Sequence, residues 1–342
     1  MSHNHGLLRI ELRPRQIFVA RYEHLPYPNL GPMQEFVCEV GITAAQPVTV
    51  TTVSFQVFAG SQLISQRYYH SRQLGTMIGE EPPVIVQPGE GLALRHCYFL
   101  EPGLERLTQV FATVEAQTAG GQTVQAQWGA PLLYFEQQTT LHLPFNGTWW
   151  AIMGSDWTDL HKGEPISQAF AIDFVRLGPN NNTFLTDGLT NEDHFSFGQP
   201  VLAPAGGEAI VATWDMTDNP PAALPRPEEL GDDPRRSFGN ALFIAHSDGE
   251  FSFLAHLQAN SITVRSGEWV TQGQTVARGG NSGLSPGPHL HYHMQNGPHL
   301  YVDQGLPVRF SMFSVTGDRI AQGSIPSRLI VTPFTASDTE SN

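Results

Sequence analysis

A short segment near the end of the chain, Pro-His-Leu-His-Tyr-His at residues 288–293, limits what this region can fold into. Side chains of a β-strand alternate between its two faces, so His289, His291 and His293 would line one face together. Neutral imidazole is a leading ligand for zinc, and imidazoles this close together favour a metal centre over a packed core. A polar strand face with solvated histidines is the alternative, and this segment alone leaves both interpretations open.

Length and composition indicate a β-rich protein of two domains. A chain of 342 residues exceeds one ordinary domain, and a hydrophobic content of 40% suffices for buried cores. The 33 glycines and 26 prolines, set against few charged residues, favour many short strands and turns. The formal net charge of −14 argues against nucleic acid as a partner, because the phosphate backbone of nucleic acid binds positively charged surfaces.

The sequence shows neither a signal peptide nor a membrane span. Residues 1–20 mix Arg and Glu among the apolar positions, whereas a signal peptide needs an uninterrupted apolar core. No later stretch approaches the ~20 apolar residues of a membrane helix. We therefore expect no membrane span. The sequence does not decide the compartment, which is the cell envelope if the chain is exported and the cytoplasm otherwise. It does not indicate the oligomeric state.

The pattern of residues 1–136 predicts an all-β, sandwich-like accessory domain. Val48–Phe58 is rich in β-branched and aromatic residues, and Ala119–Gly121 has the composition of a hairpin turn. This half contains no grouped catalytic residue types, so we expect it to position a substrate or partner. Cys38 and Cys97 have a separation that suits a bridge across a sandwich, and the sequence leaves open whether they are bonded.

Residues 137–334 form a second β-rich region, which begins with an expected linker at 137–145. Two long loops, at about 178–197 and 216–238, interrupt it, and loops of this length usually either bear function or are disordered. The second loop is acidic and Pro-rich, and we expect it to border the active groove and to favour cationic substrate groups. Residues 335–342 have the composition of a disordered tail.

Further residues in this region could join the histidine segment in a metal site. Asp173 lies in the apolar run Phe170–Val175, where a carboxylate is costly unless it is paired or bound to metal. His256 ends another apolar run, and His161 precedes a turn. Zinc hydrolases use three protein ligands and leave the fourth position to water, which can then ionise near pH 7 and attack a carbonyl. The alternative is a purely structural role, in which Asp173 is a hydrogen-bonded strand residue and His256 is a hydrogen-bonded histidine of the core.

The region from about residue 141 to 315 resembles the lysostaphin-like (LytM-type) zinc endopeptidases, which cut peptidoglycan cross-bridges. Many ordered motifs carry this resemblance, where any one would be weak: Leu143–Trp149, His161, Ala169–Phe174, Phe197–Gly207, Gly239-Asn240, His246–Gly249, Ala255–Leu257, Val264–Val270, Gly273-Gln274, Gly280–Gly283 and Pro288–His291.

The resemblance implies a β-rich peptidase domain with an open groove, one zinc ion per chain, and roles for five residues. The implied zinc ligands are His161, Asp173 and His291, and the implied catalytic residues are His256 and His289. His293 is then a neighbour without a role. The commonest family form places the first histidine and the aspartate in HxGxD, whereas twelve positions separate His161 from Asp173 here, which resembles a branch with an insertion.

Two functions remain as alternatives at this stage. The first is a zinc metalloendopeptidase that hydrolyses peptidoglycan stem peptides, cross-bridges or another peptide substrate. The second is a non-catalytic scaffold that keeps the peptidase fold and regulates another cell-wall hydrolase. Loss of zinc ligands would favour the scaffold, but all five expected positions are occupied, which favours the enzyme. An intracellular peptidase with a protein substrate is a weaker alternative.

Overall fold

A computed structural model describes residues 6–22, 31–154, 161 and 165–334 of this chain. The chain divides into two compact units, one through Phe135 and one from Glu136 onward. Both are β-rich, and the two α-helices among the described residues, Ser71–Ile78 (α1) and Pro227–Leu230 (α2), are short. The prediction of an all-β fold is therefore confirmed. The predicted tail at 335–342 lies outside the described residues.

The first unit is built from strands β1 to β9. Their bounds are Leu8–Arg13 (β1), Ile17–Tyr22 (β2), Met33–Ala44 (β3), Val48–Ala59 (β4), Gln62–His70 (β5), Ile85–Val86 (β6), Gly91–Pro102 (β7), Gln109–Thr118 (β8) and Thr123–Tyr134 (β9). Strands β8 and β9 pair antiparallel across the predicted hairpin turn.

These strands form a β-sandwich. Strands β1, β2 and β7 pair with β3, while β4 pairs with β5, β6 and β8, and β9 joins the two groups by pairing parallel to β2. Alternate residues face one shared core: Phe36 stacks on Phe99 with ring centroids 4.5 Å apart, and Phe55 of the other group meets Phe99 at 5.0 Å. Cys38 and Cys97 are Cα partners in β3 and β7 and are free, buried thiols.

The second unit contains strands β10 to β22. Their bounds are Trp149–Met153 (β10), Ile172–Arg176 (β11), Pro200–Leu202 (β12), Gly207–Thr213 (β13), Asn240–Ala245 (β14), Phe251–Leu257 (β15), Trp269–Val270 (β16), Thr275–Arg278 (β17), Leu290–Gln295 (β18), Gly305–Leu306 (β19), Phe310–Val315 (β20), Asp318–Gly323 (β21) and Ile330–Pro333 (β22).

One large sheet organises this unit, in the order β16-β13-β14-β15-β18-β11-β10-β22-β20-β21, with β19 added beside β18 and β12-β17 as a separate ribbon. Every pairing in the large sheet is antiparallel. Strand β18, which carries the histidine segment, lies in the middle between β15 and β11. A central strand is covered on both edges, so its side chains are held in fixed positions by their neighbours.

The segment expected to be a linker is packed into the second unit. Leu141, Leu143 and Phe145 are buried, and Leu141 bridges to Phe310. The carboxylate of Glu250 accepts hydrogen bonds from the backbone N–H groups of residues 138 and 139 at 2.7 and 2.8 Å. The prediction of a linker at 137–145 was wrong, since this segment is anchored in the second unit. Its apolar residues from Leu141 to Phe145 alternate with other residues, and such a pattern is typical of a segment with one buried side.

Candidate metal centre

Strand pairing brings the predicted ligands Asp173 and His291 together. His291 of β18 is the Cα partner of Asp173 in β11 on one side and of Ala255 in β15 on the other. Directly opposed residues of antiparallel strands project from the same face of the sheet, so the carboxylate and the imidazole meet. His291 Nδ1 lies 2.9 Å from Asp173 Oδ1, although 118 positions separate the two residues along the chain.

His161 completes a cluster of three possible ligands. Its Nε2 lies 3.4 Å from Asp173 Oδ2, and its ring centroid lies 4.9 Å from that of His291. One nitrogen or oxygen atom from each of His161, Asp173 and His291 lies within 4.8 Å of the other two. Two imidazole nitrogens and one carboxylate oxygen form a donor set that zinc accepts, so the side chains present fit a metal ion of this kind.

His256 reaches this cluster through an irregular backbone. Strict alternation along β15 would turn His256 away from Ala255, which faces His291. A register shift in the β14–β15 pairing and a φ of 55° at His256 break the alternation. The ring of His256 then lies 4.7 Å from that of His289 and 5.8 Å from that of His291. Such a conformation costs about 1–3 kcal/mol for a residue other than glycine and is typical of functional sites.

Backbone carbonyls orient the two predicted catalytic histidines. His289 Nδ1 lies 2.8 Å from the carbonyl oxygen of Gly287, and His256 Nδ1 lies 2.8 Å from that of Ser282. A carbonyl can only accept, so each Nδ1 carries the hydrogen, and the Nε2 of a neutral ring keeps its lone pair. His289 Nε2 is 3.6 Å from Asp173 Oδ2, so this lone pair faces the cluster.

Burial and charge set the protonation states at the site. Burial opposes the charged form of Asp173, but the nearby imidazoles of His161, His289 and His291 outweigh it, and the pKa of this carboxyl lies well below its usual value. Burial lowers the pKa of His291 to about 3, although the nearby carboxylate of Asp173 acts in the other direction. Burial, together with His289 and His291, also lowers the pKa of His256 well below its usual value. Near pH 7 the site therefore offers the carboxylate of Asp173 and neutral imidazoles at His256 and His291.

An apolar cluster covers one side of the site. Phe238, Phe243 and Phe253 pack together with Ala241, Ala255 and Leu300. The ring of Phe238 lies 5.9 Å from His291, and that of Phe253 lies 4.8 Å from His293. These aromatic residues were not predicted to belong to the site, because the sequence of an apolar strand does not indicate which polar residues its side chains will contact.

His246, which belongs to one of the matched motifs, lies outside this cluster. Its ring bonds to the carbonyl oxygen of Gly206 and to Ser252 Oγ, both at 2.8 Å, and Ser252 Oγ lies 2.8 Å from Tyr292 Oη. Tyr292 alternates with His291 along β18 and therefore points to the opposite face. His246 is a satisfied, buried histidine in a separate network.

The long loop at 216–238 lies against the turn that leads into His289. Asn219 Nδ2 donates to the carbonyl oxygen of Gly283 at 2.6 Å, and the backbone N–H of Ala222 donates to that of Pro286 at 2.7 Å. Most of the loop's acidic tip is paired internally, since Arg226 bonds to Glu228 and Glu229, and Arg235 to Asp233. These pairs reduce the charge with which the loop was expected to attract cationic groups.

Fold and site together define a β-rich domain whose central sheet carries a buried His/Asp/His cluster suited to a divalent metal ion. Residues 194–304 match Peptidase family M23. The peptidoglycan DD-endopeptidase ShyC of Vibrio cholerae serotype O1 is 44% identical over 146 residues, which are 40% of this chain and 30% of that protein. The chain thus spans less than a third of the length of this curated relative.

Two solved structures also resemble the chain. The catalytic domain of lysostaphin from Staphylococcus simulans is 18% identical with a TM-score of 0.27, and the match covers 47% of this chain and 88% of that one. A zinc-containing peptidase from Vibrio cholerae is 13% identical with a TM-score of 0.27, over 79% and 55% of the two chains.

These matches confirm the predicted resemblance of the C-terminal unit to the lysostaphin-like peptidases. The family match includes His256, His289 and His291 but begins after His161 and Asp173. The placement of those two residues in the site rests on the cluster geometry. Among the helices described, none is long and apolar enough to cross a membrane.

The buried histidines predict how stability depends on pH in the metal-free chain. An unfolded histidine takes up a proton near pH 6.5, but folded His293 does so only near pH 3, because burial lowers its pKa. The folded state is then fully stable above about pH 6.5 and loses up to about 1.4 kcal/mol per pH unit and per such histidine below it. His293→Asn should therefore show a shallower loss in urea unfolding between pH 7.5 and 4.5. An unchanged slope would contradict the burial of a neutral His293.

Proposed function

We propose that this chain is a zinc-dependent metalloendopeptidase that hydrolyses peptide bonds in peptidoglycan. The observation that carries the proposal is the convergence of His161, Asp173 and His291 beside the paired rings of His256 and His289. The match to Peptidase family M23 and the name of the Vibrio cholerae relative support peptidoglycan as the substrate class.

The zinc ligands in this proposal are His161, Asp173 and His291, with one ion per chain. When bound, zinc polarises the carbonyl to be cleaved and acidifies a water molecule. Asp173 lies against two imidazoles and would neutralise part of the charge of the ion, because its carboxylate stays ionised at neutral pH. The apolar cluster of Phe238 and Phe253 keeps solvent from one side and so strengthens each electrostatic contact.

His256 and His289 are assigned to proton transfer. Each ring is held by a backbone carbonyl at Nδ1, which leaves Nε2 to accept a proton from the attacking water and to return it to the leaving amine. The two rings lie side by side, 4.7 Å apart, and a ring that has accepted the proton of the nucleophile at Nε2 becomes a donor there for the developing oxyanion or the leaving amine. A neutral imidazole suits the first role near pH 7.

Paired substitutions separate the metal and proton-transfer roles. His291→Ala removes a proposed ligand, so the zinc content should fall by about one ion per chain, and the activity should be lost with the zinc. His289→Ala should retain the zinc but lose about 10²–10⁴-fold in rate on purified peptidoglycan. Zinc content is measured by elemental analysis and activity by release of soluble fragments. Zinc retained in His291→Ala would contradict the ligand assignment, and a wild-type chain that binds zinc but never cleaves would favour the regulatory scaffold.

The first unit is proposed to position the polymer and to take no part in bond breaking. The backbone N–H groups of Gln138 and Thr139 donate to Glu250, and the second compact unit begins at Glu136, so a shortened chain should begin at Glu136. This chain should cleave a small soluble peptide at the wild-type rate and intact peptidoglycan more slowly. Loss of activity on both substrates, from a shortened chain with a cooperative thermal transition, would show that both units build the active site.

A further inference from the structure

Of the three histidines in the segment 288–293, His293 alone has no role in the proposed function. It is fully buried in β18, on the face that carries His291. Its Nδ1 lies 2.9 Å from His291 Nε2, and its Nε2 lies 2.7 Å from Gln295 Oε1. Gln295 Nε2 in turn donates to the carbonyl oxygen of Gly297. Period-two spacing thus produces a continuous row of hydrogen bonds from Gly297 to His291.

The carbonyl of Gly297 fixes the direction of this row. Because a carbonyl only accepts, the amide of Gln295 must turn its NH₂ group toward Gly297 and its oxygen toward His293. The Nε2 of His293 must then carry the hydrogen that Gln295 accepts. A neutral imidazole has a single N–H, so the Nδ1 of His293 accepts from the Nε2–H of His291.

This direction leaves a lone pair on His291 Nδ1, the atom that faces Asp173 Oδ1 at 2.9 Å. Two acceptors at this separation repel each other, and a cation between them satisfies both. Water cannot readily replace His293 as the acceptor, because Phe253 and Phe238 lie 4.8 and 6.4 Å from its ring.

We propose that His293, oriented by Gln295, is a positioning residue that holds His291 in the tautomer whose Nδ1 binds zinc. This inference rests on the proposed function and extends it beyond the three ligands. The partner of a metal-bound histidine usually fixes both its tautomer and its ring orientation. Here that partner is a neutral imidazole, so it adds no negative charge to the site.

A matched pair of substitutions in the full chain tests the proposal. Asparagine and leucine have similar size, but only asparagine offers an acceptor close to where His293 Nδ1 stands. His293→Leu should weaken zinc affinity by about 10–100-fold, whereas His293→Asn should retain most of it. Zinc affinity is measured by competition with a chromogenic chelator, and thermal unfolding checks that each variant is folded.

Two further variants keep the test decisive. Gln295→Met frees His293 to reverse its tautomer, so it should weaken zinc affinity in the same direction and serves if His293→Leu does not fold. Tyr292→Phe removes a buried hydroxyl from the opposite face of β18 and should lower stability while leaving zinc affinity unchanged. Equal zinc affinity in the leucine and asparagine variants, or wild-type affinity in Gln295→Met, would overturn the positioning role while the proposed function stands. A wild-type chain that binds no zinc would overturn both.

Discussion

The antiparallel pairing of β11 with β18 is the constraint on which the site depends. It places Asp173 directly opposite His291, and a shift of one residue would send one of the two side chains to the other face. Burial of the apolar residues that alternate with them, Ile172 and Leu290 among them, opposes such a shift. The core of the domain and the geometry of the candidate metal centre are therefore fixed by the same register.

Around this pair, backbone carbonyls determine where protons sit. Gly287, Ser282 and Gly297 each provide an acceptor that forces a hydrogen onto one chosen nitrogen, directly in His289 and His256 and through Gln295 in His293. Imidazoles in water exchange freely between tautomers, but these buried rings do not have that freedom. The fold thus fixes which nitrogen of each ring carries the hydrogen and which can offer a lone pair, and both metal binding and proton transfer require such a lone pair.

The sequence predicted the parts of this arrangement that follow from local periodicity. Alternation along 289–293 predicted that the three histidines share one face of a strand. The same period of two extends to Gln295, so this residue could have been predicted to lie on that face as well. Motif order, rather than any single residue type, carried the family resemblance. An apolar run around Asp173 correctly marked that carboxylate as one needing partners, and the structure provides three imidazoles near it.

Other features depend on tertiary structure and left no local signal. The backbone irregularity that turns His256 toward the site arises from pairing with β14, and the packing of 137–145 depends on Glu250, more than a hundred positions away. The acidic loop at 216–238 has a local composition that indicates a charged surface, yet its own arginines pair with most of its carboxylates.

X-ray absorption at the zinc edge of the zinc-loaded chain measures which atoms bind the ion. The account predicts a four-coordinate ion with two imidazole nitrogens at about 2.0–2.1 Å and oxygen ligands at about 2.0–2.2 Å. A sulfur ligand, or a first coordination sphere with no imidazole, would contradict the assignment of His161, Asp173 and His291.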